Sequence, residues 1–197
     1  MLPVTHLMAS WLVAAKSTKN LRDCRLVALG GILPDVDGLP GVVDSVNQWL
    51  GRPPTIYYFE YHHYWLHGLL GGLLIAALLT CFARQRWRVF LMALAVFHLH
   101  LLCDLVGSRG PDAIDLWPVY YFGPLTKDFA WVVQWQWPLD GWQNRVISVV
   151  LLGWCLALAI RRGDSIIGVF SRRVDGAFVR VLRNWYAGWA ARRGRTG

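Results

Sequence analysis

Phe97-His98-Leu99-His100-Leu101-Leu102-Cys103-Asp104 closes an apolar run that extends from Val89 to Val106. That run is close to the ~20 residues a helix needs to cross a bilayer. Two histidines and an aspartate sit inside it, and an ionisable group in such a run faces a partner, a cavity or a metal rather than lipid. His100 and Asp104 are four apart, so a helix stacks them on one face. His98 falls roughly 200° round from His100 at about 100° per residue, which gives it a packing or supporting role. Imidazole and carboxylate at that spacing suit a divalent metal.

Composition points to the membrane. Of 197 residues, 55% are hydrophobic and 16% charged, and the apolar ones come in blocks. The expected fold class is all-α, an integral membrane helical bundle. The net charge of +8 does not imply nucleic acid, because the basic residues flank apolar runs and form no groove-like cluster interleaved with aromatics. Cys24, Cys81, Cys103 and Cys155 are scattered with no Cys-x-x-Cys, which excludes a disulfide framework or a thiolate zinc knuckle. A cleaved signal is not expected, since the first apolar stretch has no basic segment before it and no small-residue cleavage motif after it.

The chain predicts a short helix over 3–15, a second over 21–33 ending at Pro34-Asp35-Val36-Asp37-Gly38, and a loop over 39–61. The two helices form a short N-terminal hairpin packed against about three spans, at 66–83, 89–106 and 146–160. The connection from Gly107 to Arg145, with Leu116-Trp117-Pro118 and Trp131, Trp135, Trp137 and Trp142, is expected at the membrane interface as a lid. Residues 1–160 make the membrane-embedded unit. Residues 161–197 are a basic tail in which Ile166, Phe170, Val174, Phe178, Val181, Trp185 and Trp189 recur at helical spacing. They predict an amphipathic helix on an anionic membrane surface, with a partner-binding helix as the alternative.

Charge distribution orients these pieces. Sixteen of the twenty Lys and Arg lie in 16–25, 84–88 and 161–197, and the positive-inside rule makes those segments cytoplasmic. Alternation of the chain then brings four helix ends to the opposite, extracytoplasmic face. They carry His6; Asp35 and Asp37; His62, His63 and His67; and His98, His100 and Asp104. All six histidines fall near one face. Read from the residues alone, His6, Asp35 or Asp37, His62 or His63, His67, His100 and Asp104 offer enough N and O donors for one or two divalent ions. Such a site activates water and clamps a phosphoryl oxygen.

The ordered set Thr5-His6, Pro34-Asp35-Val36-Asp37, His62-x-x-x-x-His67, His100-x-x-x-Asp104, Gly110 and Leu116-Trp117-Pro118 resembles the YdjM-like family of inner-membrane metal-dependent hydrolases, over roughly residues 1–160. The resemblance implies metal ligands at His6, Asp35, Asp37, His62, His67, His100 and Asp104. This chain departs from the family's usual His-Arg and Thr-His-Ser around the histidine pair: His63 follows His62, Leu66 precedes His67 and Gly68 follows it. The chain is more distantly similar to zinc-dependent phospholipase C enzymes, which implies phosphoester chemistry.

The resulting expectation is a bacterial inner-membrane hydrolase using a divalent metal, zinc foremost, on a phosphoester such as a phospholipid at the extracytoplasmic face. Asp35 would orient or deprotonate the attacking water, and Arg109 is a candidate phosphate contact. The alternatives are a non-catalytic metal-binding or metal-transport protein, whose ligands belong near the bilayer midplane, and a haem or quinone protein using His98 and His100. Partners beyond the bilayer and the substrate, including copies of the chain, are not specified by the sequence.

Overall fold

The computed structural model describes residues 1–193. α1 (Pro3–Ser17) starts at a proline, whose fixed φ and missing N–H suit a first helical turn. It turns through a short link into α2 (Leu21–Gly30), which is N-capped by Asn20 accepting from the Arg22 and Asp23 amides. The predicted hairpin is present. The second helix stops at Gly30 rather than Leu33, and a 3-10 turn, Leu33–Gly38, carries Pro34, Asp35 and Asp37.

The segment expected to be a loop over 39–61 contains two helices, α3 (Gly41–Trp49) and α4 (Tyr57–Tyr61). No residue of α3 is buried, and Val42, Val46 and Trp49 are exposed. The apolar face of α3 therefore points away from the protein core.

α5 (Leu69–Cys81) replaces the span expected over 66–83. Its thirteen residues reach about 20 Å, short of the ~30 Å hydrocarbon layer. α6 (Arg86–Gly107) and α7 (Trp142–Arg162) are each long and apolar enough to cross a membrane. The stretches Leu21–Gly30 and Leu33–Trp49, bent by 48°, together make a third candidate. The outer faces are apolar and open: Leu74 and Leu78 on α5, Leu91 and Leu102 on α6, and Val149, Val150 and Trp154 on α7. In water that surface would be costly, and in lipid it is not.

The core is centred on α1, packed between α2, α6 and α7. Trp11, Val27, Ala76, Val96 and Phe97 are fully buried there. Gly72 of α5 lets the Phe97 ring lie against the helix backbone, since a Cβ would meet it at 2.6 Å. Between α6 and α7 the long connection folds into a two-stranded antiparallel ribbon, β1 (Val119–Tyr120) and β2 (Ala130–Trp131).

The connection also finishes α6. The amide of the buried Gln136 is shared by the Asp104, Leu105 and Trp117 carbonyls, and Asn144 donates to the Gly107 carbonyl at 2.8 Å. Helix-terminal carbonyls orphaned at this depth would otherwise lack partners. Up to Arg193 the basic tail is helical but divided into a 3-10 turn, Ile166–Val169, and α8 (Arg172–Arg193), and the last four residues of the expected tail, 194–197, lie outside the described residues. Asp175 accepts from the Ser165 amide and hydroxyl, pinning the first turn of α8, while Val181, Trp185 and Trp189 stay exposed.

Candidate metal centre

Four chain segments meet at one end of the bundle. His6 comes from α1, Asp35 and Asp37 from the 3-10 turn, His62, His63 and His67 from the link between α4 and α5, and His100 and Asp104 from α6. His6, His63, His67, His100 and Asp104 are all buried. The link leaves helical geometry at His63, whose φ of 66° is in the left-handed region. That turn swings His63 inward, where its Nε2 lies 3.8 Å from Asp104 Oδ2.

The expected ligand atoms form two neighbouring groups. His6, Asp35, His100 and Asp104 make one; His62, His63 and His67 make the other. In the first group Asp104 Oδ1 lies 3.1 Å from His6 Nε2, and Asp104 Oδ2 lies 2.9 Å from His100 Nε2. The Met1 amine also contacts Asp104 and Ser108. Asp35 Oδ1 is 3.6 Å from His100 Nε2 and 3.9 Å from His67 Nε2.

Three of the rings, His62, His67 and His100, are fixed from behind. His100 Nδ1 donates to the Gly31 carbonyl at 2.9 Å, which turns Nε2 toward Asp104 Oδ2 and His67 Nε2. His62 and His67 donate from Nδ1 to the two oxygens of Asp37, at 2.8 and 3.0 Å, and so also turn bare Nε2 atoms forward. Burial pushes His67 down to about 4 and holds His63 well below the usual histidine range, so both rings are neutral at pH 7.

Asp37 is thus placed differently from the ligand expected of it. Its carboxylate accepts from His62, His67 and the Leu66 amide and lies behind the rings, outside both groups of donor atoms. Carboxylates in that position set the tautomer and aim of metal-binding imidazoles. The choice between His62 and His63 is not forced, because both rings join His67. His98 takes the supporting place its helix angle gave it, donating from Nδ1 to the Leu94 carbonyl at 2.8 Å and accepting at Nε2 from the Tyr121 hydroxyl at 3.0 Å.

A divalent cation fits this donor set. His67 Nε2 and His100 Nε2 face each other at 3.0 Å beside Asp104 Oδ2, and two ring nitrogens that close are favourable only with a proton or a cation between them. Asp35 Oδ2, Asp104 Oδ2 and His63 Nδ1 are buried without a hydrogen-bond partner. Native proteins seldom leave such atoms unpaired.

The groups open onto a cleft of about 990 Å³, lined by Asp35, Asp104, His62 and His63 and walled by Leu39, Phe59, Trp117 and Val149. Arg109 and Arg145 lie on it, together with Asp115 and Asp140. Arg109 Nε is buried without a partner. Trp117, Thr5 and Gly110 belong to the motifs read in the sequence, whereas Tyr58 and Ser148 carry no signal of their own there. Trp117 packs on His62 and His63 with ring centroids 5.7 and 5.0 Å apart, and Tyr58 on His62 at 4.6 Å. Thr5, beside His6, bonds Ser148 of α7 at 2.8 Å. Gly110 lies under the Asp115 carboxylate, which a Cβ would strike at 1.7 Å.

A family model described as YdjM inner membrane protein matches residues 1–166. No curated protein and no solved structure is similar enough to the chain to count as a match.

Proposed function

We propose that this chain, which belongs to the YdjM inner membrane protein family, is a membrane-bound, metal-dependent hydrolase that cleaves a phosphoester. The observation that carries the reading is the pair of forward-facing imidazoles, His67 and His100, flanked by carboxylate oxygens of Asp35 and Asp104. His6, Asp35, His100 and Asp104 would hold one ion, and His62, His63 and His67 could hold a second. Neutral imidazole with carboxylate suits zinc. When bound, such an ion supplies Lewis acidity, lowering the pKa of water and polarising a phosphoryl oxygen.

The chain's own residues supply the rest. Asp35 Oδ2, buried at the edge of the cleft with no donor, is placed to accept a proton from the attacking water. Asp37 keeps His62 and His67 from rotating. The unpaired Arg109 Nε offers a positive donor to a phosphate in the cleft. Apolar walls from α3, α4 and α7 favour a substrate with a hydrocarbon part, so a lipid-linked phosphoester is the preferred class. The positive-inside distribution supports an extracytoplasmic centre and a cytoplasmic α8.

The test has two parts. Metal analysis of purified protein should find zinc or another divalent ion, depleted in His100→Ala and Asp104→Ala. Chelator-sensitive hydrolysis should then appear in a screen of phospholipids and isoprenoid phosphates. Near-zero metal in wild type and variants alike would refute the centre. Metal without any hydrolysis would favour the non-catalytic reading.

A further inference from the structure

The opposite end of the bundle carries a second cavity, of about 490 Å³, lined by Lys19, Arg22, Arg25, Arg84 and Arg172 with Asn20 and Leu21. These cations come from three places in the chain and are brought together by specific bonds. Asp23, fully buried on the first turn of α2, accepts the Arg84 amide at 2.8 Å and the Gln85 amide at 3.0 Å. That ties the turn between α5 and α6 to α2 and puts Arg84 near Arg22 and Arg25. Arg162 bonds the Ala15 carbonyl and Asp164, and Asp175 holds Ser165, so the start of α8 delivers Arg172.

Among the described residues, no carboxylate lines this cavity. Among the described residues, none of the five cationic side chains forms an ion pair or a hydrogen bond. Five like charges around one hollow repel each other, and an anion with several acceptor oxygens relieves that repulsion. The surroundings indicate what carries the anion. The apolar outer face of α5 leads to the cavity's edge, ending at the exposed Phe82, and Trp87 of α6 stacks on Phe90 while staying 72% exposed. Exposed aromatics beside arginines mark the head-group level of a bilayer.

We infer that this cavity binds the phosphate of an anionic phospholipid, with the lipid's chains along the exposed faces of α5 and α6. Basic pockets between membrane helices on the positive side recognise lipid phosphates in this way. The site is independent of the metal centre and of the hydrolase reading.

Retention of phosphatidylglycerol and phosphatidylcholine by the full-length protein in detergent, read by native mass spectrometry, tests the inference. Arg22→Gln with Arg84→Gln should lower phosphatidylglycerol retention by about tenfold or more. Arg86→Gln with Arg88→Gln, the same charge change on a neighbouring turn outside the cavity, should change it less than about twofold. Equal losses in both pairs would mean diffuse surface charge and overturn the site. Inorganic phosphate is the competing probe: if it displaces the lipid at equal concentration and depends on the same two arginines, the ligand is a soluble anion and the lipid assignment falls. If the double variant fails to fold, Arg172→Gln, which leaves α2 and the turn intact, should still reduce retention severalfold. Unchanged retention in that variant would also overturn the inference.

Discussion

Asp37→Ala separates an orienting carboxylate from a ligand. In the folded chain Asp37 accepts three donors, from His62 Nδ1 at 2.8 Å, the Leu66 amide at 3.0 Å and His67 Nδ1 at 3.0 Å. Removing it leaves three donors without an acceptor at a site where Asp37 is only 7% exposed. Each unsatisfied buried donor costs ~1–3 kcal/mol, so the metal-free protein should lose about 3 kcal/mol or more. Metal affinity should fall by about 10–100-fold, because the two rings lose their aim while their Nε2 donors remain. Asp104→Ala deletes a donor that both His6 and His100 approach, and its loss should be larger. Competition titration against a zinc-binding dye at pH 7 ranks the three proteins. Asp37→Ala binding within about twofold of wild type, or as poor as Asp104→Ala, would refute the orienting role.

Three other outcomes follow from the same geometry. Gly68→Ser, which restores the residue usual in the family, should be destabilising by roughly 1–3 kcal/mol in thermal unfolding. Its Cβ would lie 2.5 Å from the Gly123 carbonyl and 3.0 Å from that of Tyr121, backbone atoms that cannot rotate away. Asp23→Ala should cost about 2 kcal/mol or more by orphaning the Arg84 and Gln85 amides, and should increase proteolysis at the turn between α5 and α6. In chelator, stability should fall as pH drops from 7 to 5. The unfolded chain protonates His67 near 6.5 whereas the folded one resists to about 4, so unfolding is favoured progressively across that window. An unfolding temperature that is flat between those pH values would contradict neutral burial of the ring.

Much of the centre was legible because its signals are local. The i, i+4 pair His100 and Asp104, the stiff Pro34-Asp35 turn and the separation of His98 from His100 follow from helix geometry, and each stands where that geometry puts it. Charge placement likewise foretold that basic and histidine-bearing ends lie at opposite ends of the bundle. The segment over 39–61 misled for a physical reason. Gly41-Val42-Val43-Asp44 is poor helix-forming sequence, and α3 has no face on the core, so no buried stripe announces it. The span expected from Leu66 begins at Leu69 because the Leu66 amide is captured by Asp37 and the Leu69 amide by the Tyr121 carbonyl. The place of Asp37 behind the rings was equally hidden, since a carboxylate among ligand atoms and one that accepts from histidines look the same in sequence.

The capping of α6 has a consequence for biogenesis. Asp104, one of the residues that could hold an ion, belongs to a helix whose last carbonyls are satisfied by Gln136 and Asn144, more than thirty residues further along the chain. During synthesis α6 therefore leaves the ribosome with an unfinished end, and the turn that carries Asp104 is completed only when Gln136 and the first turn of α7 arrive. At the proposed metal centre, ion binding is then expected late in assembly, and a truncation before Gln136 should insert its helices yet hold no ion.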